Sequence, residues 1–209
     1  MFLGKHRTIA DRFGAIYHRR MWQNPESASG FGSTMEATGQ LRAGLEALFA
    51  EHEVTSWLDA PCGDFNWQGA VAFGGTYIGA DIVPELIADT SRAHAGEGRS
   101  FIVADIARDT LPQAEAVLCR ECLNHLPLAD GLAALANLEE AASRFVMVTH
   151  YPDCTANAEQ PASFRYRPLN LTRAPFDLRG PDASIDEGAF EPGKQVAIWD
   201  LAKGPLRRR

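Results

Sequence analysis

Apolar residues recur along this chain in two rhythms. Ile9, Phe13, Ile16, Tyr17 and Met21 return every three or four positions, which predicts an amphipathic helix over residues 6–22 with one apolar stripe. Leu41, Leu45, Leu48 and Phe49 repeat the spacing among Ala, Glu and Arg, predicting a second helix over 35–51. Beyond residue 55 the apolar runs become short. Those at 57–60, 77–82, 100–106, 116–119 and 144–149 read as strands, and helix-like stretches at 67–73, 84–95 and 128–143 separate them. The last of these is the clearest helix, with Leu132, Leu135, Ala136 and Leu138 among good helix formers. Strand and helix alternating at this spacing predict an α/β fold with a doubly wound, mostly parallel sheet.

Two stretches break the rhythm. Residues 23–34 hold Pro25, several serines and the run Ser29-Gly30-Phe31-Gly32-Ser33. Such a segment reads equally as a donor-rich loop around an anion or ligand edge and as a flexible linker. Residues 153–194 are rich in Pro, Gly, Asp and Asn, which predicts a long loop of the kind that is either functional or disordered. A final strand at 195–201 carries Val196, Ile198 and Trp199, with 174–178 as its candidate antiparallel neighbour. The chain therefore divides into a helical cap with a Ser/Gly loop at 1–54 and an α/β unit at 55–209, together one compact domain.

Composition narrows the functional classes. Twenty Lys and Arg against 27 Asp and Glu leave a net charge of −7, without the broad basic footprint of a nucleic-acid binder. Basic residues cluster only at His18-Arg19-Arg20 and Arg207-Arg208-Arg209, the latter read as a solvated tail. Cys62, Cys119, Cys122 and Cys154 are too scattered for a disulfide framework, and the single CxxC at 119–122 lacks the second ligand pair of a zinc site, so no metal is expected. The first residues mix Lys5, Arg7, Asp11 and Arg12 with apolar ones and show no signal-peptide core, and no run approaches the ~20 apolar residues of a membrane span. A reduced, cytoplasmic protein without a membrane partner is the expectation.

The chemistry concentrates in Trp57-Leu58-Asp59-Ala60-Pro61-Cys62-Gly63-Asp64-Phe65-Asn66-Trp67. A strand stopping at a small-residue turn is where open α/β sheets bind nucleotide-like ligands, and Gly63 lets backbone N–H groups approach one closely. The next two strands also end in an acid, Asp81 and Asp105. In a parallel sheet, acids one strand–helix unit apart share the carboxyl edge. A carboxylate after the second strand suits a ribose diol, because it accepts from two hydroxyls; one after the third suits an amino group such as that of adenine.

These stretches resemble the motifs of class I S-adenosylmethionine-dependent methyltransferases. The matching parts are Leu58-Asp59-Ala60-Pro61-Cys62-Gly63, Tyr77-Ile78-Gly79-Ala80-Asp81-Ile82, Val103-Ala104-Asp105-Ile106 and Leu118-Cys119-Arg120-Glu121-Cys122-Leu123-Asn124-His125-Leu126. The resemblance covers about residues 55–152. It implies a Rossmann-like sheet of seven strands closing in a C-terminal antiparallel hairpin, drawn from residues 174–201, and S-adenosyl-L-methionine as cofactor. Asp59 and Gly63 would then shape the methionine pocket, with Cys62 at the close-approach position, Trp67 beside it and Asp64 near the amino group. Asp81 would hold the ribose hydroxyls and Ile82 would pack on adenine. Asp105 and the Ile106 backbone would meet the adenine edge, and Arg120 would stand beside the sulfonium and methionine tail. Pro61 and Phe65 occupy positions where the family usually has glycine; Pro61 fixes φ and removes a donor, so this turn must be made differently.

Methyl transfer is largely positioning, and an alcohol acceptor also needs a base. His125 and His150 follow the fourth and fifth strands, and each reads either as that base or as a structural histidine. The family's Asn/Asp-Pro-Pro-aromatic signature of nucleic-acid amino methylation is missing at Thr149-His150-Tyr151-Pro152. With the acidic charge, this favours a hydroxyl on a small molecule or sugar/glycan-type acceptor over nucleic acid. Asn157, Arg165, Arg167 and Asn170 are polar candidates for the acceptor wall. Two alternatives remain: a non-catalytic cofactor-binding module, and an NAD-dependent oxidoreductase, whose GxGxxG this turn lacks.

Overall fold

A computed structural model describes residues 8–22, 24–159, 166–189 and 191–207. Seven strands make one sheet: β1 Ser56–Asp59, β2 Thr76–Asp81, β3 Arg99–Val103, β4 Ala114–Cys119, β5 Ala142–His150, β6 Ala183–Asp186 and β7 Gln195–Asp200. Their order is β3-β2-β1-β4-β5-β7-β6. Pairs from β3 through β5 are parallel, and β7 runs antiparallel to both β5 and β6. Among the described residues four α-helices accompany them: α1 Ile9–His18, α2 Gly39–Glu51, α3 Pro84–His94 and α4 Leu128–Ala141.

A parallel sheet is covered on both faces, so its strands are apolar on both. Adjacent residues Trp57 and Leu58 accordingly enter opposite cores. Leu58 joins Val117, Val146, Leu135 and Leu138 beneath α4, and Trp57 joins Leu41, Leu45 and Phe49 of α2 with Phe145 and Met147. Local signals agree at the helix starts. Thr8 and Asp11 form a reciprocal capping box on α1, and Pro84 opens α3 at a position where its missing N–H costs nothing.

Two expected elements are corrected. Residues 67–73 form no α-helix, only a 3-10 turn at Gln68–Ala70. Trp67 and Val71 are drawn into the α2-side core and the Gln68 amide bonds back to Asp59 and the Cys62 carbonyl, while Gly69, Gly74 and Gly75 give a helix no local support. No helix dipole therefore follows the β1 turn directly. The partner of β7 is β6, not residues 174–178. Phe176 and Leu178 are buried anchors in the α4-side core, and the Leu178 N–H bonds to the Leu171 carbonyl within the loop. The edge strand is the polar Ala-Ser-Ile-Asp, whose weak apolar content hid it.

The described parts of the 153–194 loop are held by side chains bonding to backbone. Asn157 donates to the carbonyls of Asn170, Arg173 and Ala174, Arg167 to those of Asn124, Leu126 and Ala158, and Asn170 to those of Pro152 and Cys154. These three expected acceptor-wall residues instead satisfy loop carbonyls; Arg165 lies outside the described residues, as do Arg208 and Arg209 of the basic tail. Among the described residues no helix is long and apolar enough to cross a membrane.

The hairpin is fixed to the sheet partly through α2. Gly44 faces Ile185 of β6 so closely that an added Cβ would come within 2.6 Å of its Cγ2. Gly44→Val is predicted to destabilise the fold by about 1–3 kcal/mol through overpacking. Urea denaturation measures this, and an unchanged midpoint would show that α2 and β6 are not in register.

Candidate active site

The sheet order reverses between β1 and β4, and a crevice opens at their carboxyl ends, the switch point of a doubly wound sheet. The β1 backbone carries the turn past the strand: Ala60 N–H donates to the Leu118 carbonyl at 2.9 Å and Cys62 N–H to the Ala80 carbonyl at 2.8 Å, and the Ala60–Pro61 bond is cis. A pocket here is lined by Asp59, Pro61, Cys62, Gly63, Trp67 and Gln68 from the turn. Asp81, Ile82, Asp105 and Ile106 line it from the β2 and β3 ends, and Arg120, Glu121 and Cys122 from the β4 end.

Asp59 is fully buried. Its Oδ2 accepts from Gln68 Nε2 at 2.7 Å and Tyr77 Oη at 3.0 Å, and burial pushes its pKa up to about 7. Among the described residues its Oδ1 has no hydrogen-bond partner, and neither has Gln68 Oε1. Because Gln68 Nε2 already gives protons to Asp59 and the Cys62 carbonyl, the amide orientation is set and the orphaned atom is an acceptor. Two buried acceptors beside one pocket call for an N–H donor, preferably cationic, from a ligand.

Gly63 sits at φ +58°, and an added Cβ would run into the Ser29 hydroxyl. Its N–H donates to Asp81 Oδ2 at 3.3 Å, while Asp81 Oδ1 accepts from Val83 N–H at 3.0 Å. Burial raises the Asp81 pKa to about 6. Phe65 adopts φ +60°, a left-handed backbone that glycine would take without strain. A left-handed non-glycine residue costs about 1–2 kcal/mol. Burial of the ring against Tyr77, Phe101 and His94, at centroid distances of 5.0, 5.3 and 5.1 Å, offsets it.

Other sequence candidates take different places. Asp64 does not line the pocket: it accepts from Ser27 Oγ at 2.9 Å and Ala28 N–H at 2.6 Å, and more weakly from Ser29 Oγ. The Ser/Gly loop is thus ordered against the β1 turn, with Asn66 bonding the Ser33 carbonyl and Arg120 the Gly32 carbonyl. Asp105 lines the pocket with Oδ2 accepting from Arg108 Nη1 and Oδ1 from the Ala107 N–H, each at 2.9 Å. The Cys62 thiol is pushed well up by burial and so lines the pocket as a neutral group. Arg120 is buried, lies with its Cζ 5.8 Å from the Trp67 ring centroid, and bonds Glu187 Oε1 at 2.6 Å through Nη2 and 3.0 Å through Nε. Burial works against its charge, but Glu187, with Glu121 and Asp59, more than offsets that and leaves its pKa raised.

The histidines separate. His150 is buried outside the pocket lining, accepts from the Leu171 N–H at 3.1 Å and packs on Trp199; burial lowers its pKa to about 4. It serves the fold. His125 lies in the turn Leu123–His125 against Phe13, Trp22 and Tyr166, and Phe13 and Trp22 themselves line the pocket. It stands one ring behind the wall. The stripe predicted for α1 has an unusual use: Ile9, Phe13, Ile16 and Tyr17 face the pocket, and no residue of this helix is fully buried in a core. Tyr17 Oη ties the helix to Asp89 of α3 at 2.8 Å.

Sequence reasoning passed over Gln68, Tyr77, Glu187 and Lys194. A glutamine in a presumed helix and two charges in a loop show no periodic or motif signal, and Tyr77 reads only as the apolar start of its motif strand.

The architecture is the class I, Rossmann-like methyltransferase fold. Among solved structures, magnesium protoporphyrin IX methyltransferase from Synechocystis PCC 6803 with bound SAM is similar at a TM-score of 0.61 and 14% identity, over 98% of this chain and 100% of that one. N-methyltransferase NodS from Bradyrhizobium japonicum WM9, in complex with S-adenosyl-l-homocysteine, has a TM-score of 0.62 at 13% identity, over 88% of this chain and 97% of that one. A TehB-like SAM-dependent methyltransferase from Corynebacterium glutamicum ATCC 13032 Kitasato reaches 0.56 at 17% identity, over 90% and 97%. No protein-family model and no curated protein matches the chain.

Because folding raises the pKa of Asp59 and Asp81 from 3.8 to about 7 and about 6, the folded protein holds protons that the unfolded chain releases above about pH 4. The stability this gives is full below pH 3.8 and is lost as pH rises through 6 and 7. Asp59→Asn removes its share. Its thermal midpoint relative to wild type is predicted to improve between pH 5 and pH 8 by at least about 2–4 °C. A difference that stays constant across that range would show that Asp59 is ionised throughout.

Proposed function

We propose that this chain is an S-adenosylmethionine-dependent methyltransferase acting on a hydroxyl of a small molecule, with sugar or glycan-type acceptors the first class to test and nucleic acid outside its range. The observation that carries this reading is the pair of orphaned acceptors, Asp59 Oδ1 and Gln68 Oε1, at the switch-point pocket of a methyltransferase fold. An α-ammonium is the donor such a pair requires.

The residues present fit the cofactor. Asp59 and Gln68 would hold the amino group, since Asp64 is engaged by the Ser/Gly loop. Gly63 allows close backbone approach, and Arg120, fixed by Glu187, would stand at the methionine tail with Trp67 beside it. Asp81 would take the ribose hydroxyls, Ile82 and Ile106 would flank the adenine, and Asp105 would accept from its amino group. Bound there, S-adenosylmethionine supplies an electrophilic methyl carbon on a sulfonium. The chain's part is to orient that carbon, exclude water and place the acceptor. The apolar stripe of α1 closes the pocket with Ile9, Phe13, Ile16 and Tyr17, which keeps competing water out.

Calorimetry with S-adenosylhomocysteine and with NAD tests the reading. S-adenosylhomocysteine is expected to bind one per chain and NAD not at all. Asp81→Ala is expected to weaken binding at least about tenfold, as loss of charge-assisted hydrogen bonds implies. Tight NAD binding without S-adenosylhomocysteine binding would sink the proposal.

A further inference from the structure

We propose that Glu121 is the acceptor-side catalytic carboxylate: it faces the transferable methyl group and takes the hydrogen bond, then the proton, of the O–H being methylated. This rests on the cofactor reading above.

The pocket runs along the strand ends, from Asp105 and Asp81 behind β3 and β2, past Asp59 behind β1, to Arg120, Glu121 and Cys122 behind β4. The first three acids suit the nucleoside and amino ends of the ligand. The β4 end is where an acceptor must arrive, and its side chains are not interchangeable. Arg120 is committed to Glu187 and the Gly32 carbonyl. The Cys122 thiol, hydrogen-bonded to Cys119, is held well above its ordinary pKa range and stays neutral. Glu121 is left, with its side chain 23% exposed.

Its backbone is unusual. Glu121 sits at φ +54°, a left-handed conformation that a side chain disfavours, and its N–H donates to the hydroxyl of buried Thr149 at 2.8 Å. A strained residue held by its neighbours in a pocket is a mark of a working position. Its charge is prepared as well. Lys194, only 1% exposed, places Nζ 3.2 Å from Glu121 Oε1 and 3.9 Å from both Glu187 Oε1 and Glu191 Oε2. With Arg120 on Glu187, the cluster as formed by the described residues holds two cations and three carboxylates, an excess of one negative charge. That excess suits a cationic centre on the ligand and an O–H donor on the acceptor. On transfer, the acceptor proton passes to the Glu121 carboxylate, which becomes a neutral acid. The oxygen uses its freed electron pair for the new O–C bond, and the pair of the broken S–C bond stays on sulfur.

The cofactor analogue sinefungin, with C–NH3+ where S-adenosylmethionine has S–CH3+, probes this geometry without a known acceptor. In wild type its ammonium would pair with Glu121. Glu121→Gln is expected to weaken sinefungin binding about 10- to 100-fold, the range of a charge-assisted hydrogen bond, and S-adenosylhomocysteine binding less than about threefold. Glu121→Asp keeps the charge beside Lys194 but shortens the reach, so it should lose part of the sinefungin preference and none of the S-adenosylhomocysteine affinity. It decides the question if the Gln variant does not fold. An unchanged ratio of the two affinities, or an equal loss of both, overturns the proposal and leaves Glu121 as a partner for Lys194. Wild type that binds neither compound removes the cofactor reading, and this inference with it.

Discussion

A guanidinium almost withdrawn from water must find partners within the protein, and Arg120 finds them in three separate parts of the chain. It belongs to the end of β4, its Nη2 and Nε hold Glu187 beyond β6, and its Nη2 also takes the Gly32 carbonyl of the Ser/Gly loop. The Trp67 ring of the β1 turn lies beside it. Removing one partner of such a pair typically costs about 3–5 kcal/mol, because the other charge is left buried and uncompensated. This single ion pair therefore forces the hairpin, the N-terminal loop and the sheet edge to arrive together, and the place they arrive is the pocket.

The rest of the pocket follows the same logic of buried polar groups that must be met. Asp59 is satisfied on one oxygen by Gln68 and Tyr77 and left open on the other, and Asp81 is held by the N–H groups of Gly63 and Val83. At Phe65, where the turn has no glycine, aromatic packing sustains a left-handed backbone. Helix α1 lines the pocket with its apolar stripe while Ile9 and Phe13 also touch the α4-side core, and because no residue of the helix is fully buried, a ligand would complete its burial.

Much of this was legible. The alternation of strands and helices, the acids closing β1 and β2 and following β3, and the close-approach glycine are local patterns, each imposed by the period of its own element or by one turn. The errors were also local in origin. Trp67 and Val71 resemble a helical stripe but answer to the α2-side core, and Phe176 and Leu178 resemble a strand but anchor a loop on α4. His150 and His125 were equivalent in sequence, each following a strand. Burial on Trp199 removed the first from the pocket, and a ring cluster set the second just behind its wall.

By itself the sequence determined the α/β class, the carboxyl edge as the ligand side and the acids that line it, because side-chain period and strand ends are properties of short segments. Only the tertiary structure decided that β6 is the polar edge strand, that Asp64 serves the Ser/Gly loop, and that Arg120 meets Glu187 and Glu121 meets Lys194. Those pairings join residues some seventy positions apart, whose only common cause is that each buried charge must find its opposite.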